Sequence, residues 1–325
     1  MRYLYCILFI LFSCSTDECA VGRENLREWL QVNGKIKVLC TTAMIADLVQ
    51  NVGGEQVDVL TLIRGELNPH TYQLVKGDDE KFRFAQVLFA NGLGLEHGSS
   101  LQYQLKQNPH TVFLGDRIME KEPALMITLK GAIDPHIWMD VSIWKKCIPL
   151  IAQALGKEDK KNAELYRQRG FELQARLNEL HEEMESVLRQ VPAQKRFLVT
   201  SHDAFNYFTR SYLSTEEEEK NGGWQKRFAA PEGLSPDSQL STSDIQHTVD
   251  FLFQHRISVI FPESNVSRDS INKIVEASRE MGLEVRIADT YLYGDAMGCK
   301  GSTGESYEKM VLHNAKTIAG YLNNE

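Results

Sequence analysis

The sequence predicts an α/β protein of two lobes, each with a parallel sheet flanked by helices, and one long helix between them. Three observations carry this. Short apolar runs alternate with amphipathic segments through residues 35–114 and again through 196–321, the rhythm of parallel strands and crossover helices. The stretch from Lys157 to Arg189 has no proline and a single glycine, Gly170. A chain of 325 residues, 42% hydrophobic and 25% charged, is long enough for two modest domains.

In the first half, Lys35 to Cys40 reads as a strand and Ala43 to Val52 as a helix stopped by Gly53-Gly54. Val57 to Ile63 is strand-like and runs into a loop. Asp78 to Phe84 is helical, Val87 to Ala90 a short strand, Glu96 to Lys106 a helix and Thr111 to Leu114 a strand. From Lys157 to Arg189, apolar or small residues fall at Tyr166, Gly170, Leu173, Leu177, Leu180, Met184 and Val187, one stripe of an amphipathic helix. At about 33 residues it would be roughly 50 Å long, more than one small domain requires. A dimeric coiled coil and a helix running along both lobes satisfy that stripe equally. In the second half, Arg196 to Thr200 is a strand, Ala204 to Tyr212 a helix and Thr215 to Gly223 a charged, solvated loop. Ser241 to Gln254 is a helix with Ser241 as N-cap and Asp244 three residues on. Ser258 to Phe261 and Glu284 to Ala288 are strands, with a helix from Ser267 to Met281 between them and a closing helix from Glu305 to Tyr321.

The N-terminus reads as an export signal. Arg2 supplies the charge, and Tyr3 to Phe12 is an apolar run too short to span a bilayer. Leu11, Ser13 and Cys14 stand as in a bacterial lipobox, so Cys14 is expected to carry lipid and anchor the chain outside the cytoplasmic membrane. The expected organisation is signal and lipobox at 1–14, a polar tether at 15–33, a first lobe at 34–156, a linking helix at 157–190 and a second lobe at 191–325. The remaining cysteines, Cys19, Cys40, Cys147 and Cys299, match no zinc or redox spacing, and an exported chain could pair some of them. The net charge of −8 argues against nucleic acid as a partner.

Three histidines and an aspartate stand out. His70, in Asn68-Pro69-His70, and His136, in Asp134-Pro135-His136, each follow a proline that stiffens the turn. His202 follows the strand ending at Thr200, and Asp295 lies in a loop flanked by Gly294 and Gly298, whose glycines would let backbone approach an ion closely. Three imidazoles and one carboxylate suit a borderline divalent metal. Ligands this far apart in sequence exclude a zinc finger. His97, His181, His247, His255 and His313 fall in or at the ends of expected helices and His110 precedes a strand, so they read as surface or packing residues.

Leu67-Asn68-Pro69-His70-Thr71-Tyr72, Asp134-Pro135-His136-Ile137-Trp138-Met139-Asp140, Val199-Thr200-Ser201-His202-Asp203-Ala204-Phe205 and Asp295-Ala296-Met297-Gly298 resemble the ligand motifs of metal-binding solute-binding proteins of ABC transporters, the zinc and manganese receptors of the ZnuA/TroA type. The resemblance runs from about Lys35 to the C-terminus and takes in Asn91-Gly92-Leu93-Gly94-Leu95-Glu96 and Pro231-Glu232-Gly233-Leu234-Ser235-Pro236. It implies two α/β lobes joined by a rigid helix, His70 and His136 from the first lobe, His202 and Asp295 from the second, and one divalent ion held as cargo. Histidine rather than glutamate at position 202 implies zinc first and manganese second, with iron as a further possibility from relatives. The implied partners are a separate permease and ATPase, since no Walker-type loop occurs here, and the implied state is a monomer. The competing expectation is a zinc hydrolase with Glu263 as base, which requires an open coordination position and a Glu263 that faces the ion.

Overall fold

A computed structural model describes residues 24–235 and 240–324. The expected export signal, the lipobox at Cys14 and Cys19 lie outside them. In the first lobe, β1 (Ile36–Cys40), β2 (Val57–Thr61), β3 (Val87–Ala90) and β4 (Thr111–Phe113) form a parallel sheet in the order β2-β1-β3-β4. All five β1 residues are buried because the strand is central and covered on both faces. Its one charge, Lys37, pairs with Asp58 at 2.6 Å. The order reverses between β1 and β3, and in such sheets sites gather at the carboxyl ends beside that point.

An antiparallel hairpin that the apolar pattern does not announce follows, with β5 (Thr128–Leu129) and β6 (Ala132–Ile133). Lys130 and Gly131, both at positive φ, make the two-residue turn that suits a twisted hairpin. β6 delivers the chain into Asp134-Pro135-His136. In the second lobe, β7 (Leu198–Val199) pairs with β8 (Phe228–Ala229) and β9 (Val259–Ile260) with β10 (Arg286–Ile287), all parallel. A bridge from Thr200 to Phe261 joins the pairs into the order β10-β9-β7-β8. These strands are shorter than the apolar runs that encode them.

The long helix spans Ala163–Arg189, 27 residues, or about 40 Å. It starts later than the sequence suggests because Asp159 breaks the run. Asp159 leaves helical geometry, accepts from the Asn162 amide and receives the Tyr166 hydroxyl, separating off a helix at Cys147–Glu158. The buried stripe is Tyr166, Gly170, Leu173, Leu177, Leu180, Met184 and Leu188, so Leu188 takes the place expected of Val187. It packs within the chain against helices Ala43–Gly53 and Cys147–Glu158 of the first lobe and Tyr307–Asn324 of the second. The stripe is therefore the seam between lobes and not a coiled-coil face. One apolar core runs through it from Ile36 to Leu322, with smaller clusters outside each sheet.

Three further expectations need correction. Residues 216–221 are helical rather than loop, because Thr215 and Glu218 form a capping box and Glu218 pairs with Arg227 at 2.6 Å. The helix expected over Ala204 to Tyr212 is a short turn, Asn206–Phe208, continued by a π turn, Thr209–Leu213. The last part of the supposed tether includes a helix, Glu24–Trp29, whose Trp29 is buried and donates its Nε1 proton to the Asp58 carbonyl at 2.7 Å. By contrast, Ser241 and Asp244 cap helix Thr242–His255 as read from the sequence.

Leu177 is fully buried at the middle of the seam. Leu177→Ala should therefore cost about 2–5 kcal/mol, measured as a lowered urea midpoint with unchanged slope.

Candidate metal centre

All four singled-out residues come together at the facing edges of the lobes. His70 hangs from the loop after β2, His136 follows β6, His202 follows β7 and Asp295 follows β10, and all four are buried. The two Pro-His turns share a device beyond the proline. The Asn68 side chain accepts from the His70 amide at 2.8 Å, and the Asp134 carboxylate from the His136 amide at 2.9 Å, so an Asx turn aims each imidazole.

One donor atom from each residue lies within 4.8 Å of the other three. His70 Nε2 and His136 Nε2 are 3.3 Å apart. Asp295 approaches His70 at 3.4 Å and His202 at 3.2 Å through Oδ2, and His136 at 3.3 Å through Oδ1. Both Asp295 oxygens and His202 Nε2 are buried without an aligned hydrogen bond among the described residues. Buried polar atoms left in that state call for a ligand, and a cation is one that satisfies a carboxylate and a neutral imidazole together.

Behind the cluster stand carboxylates that hold the rings. Asp134 Oδ1 takes His136 Nδ1 at 2.7 Å. Glu263 Oε1 accepts from the His202 amide at 2.8 Å, while Oε2 lies 2.7 Å from His202 Nδ1, off the line of an ideal hydrogen bond. Such pairing fixes the ring orientation and presents Nε2 forward. Glu96 braces the first lobe. It accepts from the Thr41 hydroxyl at the end of β1 and from the amides of Asn91 and Gly92 after β3, and Asn91 in turn holds the Pro135 carbonyl at 2.9 Å. That gives the Asn91–Glu96 segment a structural role.

The electrostatics follow from these contacts. Burial opposes protonation of His136, but Asp134 and Asp295 outweigh it and its pKa is pushed up to about 9. Burial likewise opposes charge on His202, and Glu263 and Asp295 hold it well above the ordinary value. At His70 burial prevails and the pKa is lowered. Asp295 would be raised by burial, yet His202 and His136 keep it well below the usual carboxylate range. Asp203 is pushed up to about 6, first by burial and then by Asp134.

Glu263 does not face the interior of the cluster. It lies behind His202, which removes the geometry that hydrolysis requires. Gly294 also acts differently from expectation. A Cβ there would sit 2.2 Å from Glu263 Oε2 and 3.3 Å from His202 Cε1, so the glycine makes room for the supporting carboxylate rather than for an ion. The sequence signal for Glu263, a carboxylate directly after the strand end at Phe261-Pro262, was visible but ambiguous. Of the other histidines, His97 is exposed with its ring centre 5.6 Å from that of His70, His181 meets the Tyr212 hydroxyl and His255 stacks on Phe197. Cys40 and Cys147 are buried free thiols, and Cys299 is disulfide-bonded.

Two α/β lobes meeting along a continuous core, with a buried His3Asp cluster where their strand ends face each other, define a metal-binding solute receptor. The chain belongs to the family described as zinc-uptake complex component A, periplasmic, whose model matches residues 38–321. It is 38% identical to the metal-binding protein YtgA of Chlamydia pneumoniae over 99% of this chain and 94% of that one. It is 31% identical to the manganese-binding lipoprotein MntA of Bacillus subtilis over 97% and 95%. The crystal structure of Fe(III)-bound YtgA from Chlamydia trachomatis superposes with a TM-score of 0.83 at 36% identity, covering 89% of this chain and 98% of that one. The protein is thus a substrate-binding component of an ABC transporter for metal ions and not an enzyme, a class that works with separate permease and ATPase subunits.

Gly294→Ala forces the Glu263 carboxylate away from His202. Metal affinity should fall about 10–100-fold in a competitive chelator titration, with the far-ultraviolet circular dichroism unchanged.

Proposed function

We propose that the chain captures one divalent cation between its lobes through His70, His136, His202 and Asp295 and presents it to a membrane permease for uptake. Zinc is the first cargo, manganese the second, and iron a further one; the iron-bound relative supports iron as a metal, although its ion is the trivalent Fe(III). The observation that carries this reading is the donor spacing. Four tetrahedral donors about 2.0 Å from zinc stand about 3.3 Å apart; four of the donor separations, counting one Asp295 oxygen or the other, are 3.2–3.4 Å, and one donor atom from each residue lies within 4.8 Å of the rest. Three imidazoles also favour zinc over the harder manganese ion, which prefers more oxygen.

The reading extends to location and assembly. The family description is periplasmic, and among the described residues no helix is long and apolar enough to cross a membrane. Attachment to the outer face of a bacterial membrane through lipid on Cys14, and action as a monomer, complete the proposal. The lipoprotein name of the Bacillus relative supports the anchor.

Protein refolded without metal and then offered zinc, manganese and iron together should take up one ion per chain, mostly zinc, by native mass spectrometry. His70→Ala, His136→Ala and His202→Ala should each lose that ion. Unchanged stoichiometry in all three would overturn the ligand assignment.

Binding must also displace protons. His136, with its pKa near 9, is protonated at neutral pH before the ion arrives, and only its neutral form can coordinate. With His202 also held well above the ordinary value, affinity should rise with pH through neutrality to at least about 9 and fall as pH drops, by about tenfold per unit for each displaced proton. Calorimetry in buffers of different ionisation enthalpy should register at least one proton released per ion at pH 7.

A further inference from the structure

We infer that Asn206 is a positioning residue that orients His136 across the lobe boundary. The inference rests on the ligand assignment proposed above. Asn206 opens the short turn after His202 and is 4% exposed. Its Nδ2 donates to Asp134 Oδ2 at 3.0 Å and, on its own side, to the Asp203 carbonyl at 3.0 Å and to Asp203 Oδ1 at 2.8 Å. Asp134 Oδ1 holds both the amide and Nδ1 of His136. A first-lobe ligand is therefore aimed by a carboxylate whose other oxygen is fastened to the second lobe, at Asn206, four residues after His202.

The next residue strengthens the clamp. The Tyr207 hydroxyl donates to the Asp134 carbonyl at 3.0 Å and accepts from the Ile127 amide at 3.0 Å, so the chain entering and leaving the β5–β6 hairpin is pinned by the same side chain. Beyond His136, Trp138 Nε1 donates to the Gly294 carbonyl at 3.0 Å, beside Asp295. Residues 134–138 are thus tied at one end to the segment after His202 and at the other to the segment before Asp295. An amide suits position 206 because its two protons can serve two carboxylates, Asp134 and Asp203, that would otherwise face each other unbridged. His136, His202 and Asp295 accordingly form one mechanically joined set.

The test is a double-mutant cycle on the full chain, with zinc affinity read by chelator competition and cobalt(II) absorption as a probe of ligand geometry. Asn206→Ala should weaken zinc binding about 10–100-fold and change the cobalt(II) band, and Asp134→Asn should do at least as much. If Asn206 acts through Asp134, the double variant should bind within about twofold of Asp134→Asn alone, well inside that outer-ligand range. Losses that multiply in the double variant, or an Asn206→Ala protein indistinguishable from the parent, would overturn the inference. His136→Ala separates the two levels: if it binds zinc as the parent does, the ligand assignment has failed. Should Asn206→Ala not fold, Tyr207→Phe removes only the hydroxyl. A several-fold weakening with an altered cobalt(II) band supports the clamp, and an unchanged affinity refutes it.

Discussion

The structure is organised around one electrostatic constraint, a carboxylate buried out of reach of water. Asp295 is held ionised by imidazoles that belong to both lobes, and those imidazoles are held in turn by Asp134 and Glu263. Isolated charges in an apolar interior are costly, and only close, well-directed partners offset that cost. The ring of partners explains why each contributing segment sits at the carboxyl end of a strand. Strand ends fix position closely, whereas the loops that follow leave room for an imidazole to turn inward. It also explains why the lobes are joined by more than a hinge. The core from Ile36 to Leu322 is continuous through the long helix, so the edges that carry the His3Asp cluster are held at set distances.

A protonated cluster and a metal-loaded cluster are two solutions to the same charge problem. With His136 and His202 carrying protons, the site balances its carboxylates internally. On the proposed ligand assignment, a cation that replaced those protons would meet donors already oriented, so little reorganisation would oppose its entry. The same argument separates receptor from enzyme. Every donor faces another donor of the set, and the two carboxylates behind it, Asp134 and Glu263, are committed to His136 Nδ1 and His202 Nδ1. Among the described residues, no further carboxylate, histidine or cysteine joins the four-residue cluster to move a proton for a substrate.

Much of this was legible in the residues. The two Asx-Pro-His turns, the strand-to-His202 step and the Gly-flanked Asp295 can be read because each depends on local chain stiffness, which sequence encodes directly. The alternating pattern likewise located the strands and most helices of the first lobe, where the sheet is fully covered and its apolar runs are unbroken. What escaped depends on contacts distant in sequence. Glu263 reads as a candidate base until His202 is placed beside it, and Asn206 as one residue of an expected helix until Asp134 arrives from 72 positions earlier. The Asp159 break was hidden because helical periodicity continues on both sides of it. The helix at 216–221 was hidden by its charge, since its stability comes from a capping box rather than an apolar face.

The short helix Glu24–Trp29 bears on where the first lobe begins. Trp29 is sunk in the small apolar cluster outside the first sheet and fastened to the Asp58 carbonyl on β2. Trp29 therefore ties the start of the described chain to the β2 edge of the first sheet, so the first lobe begins at this helix rather than at β1.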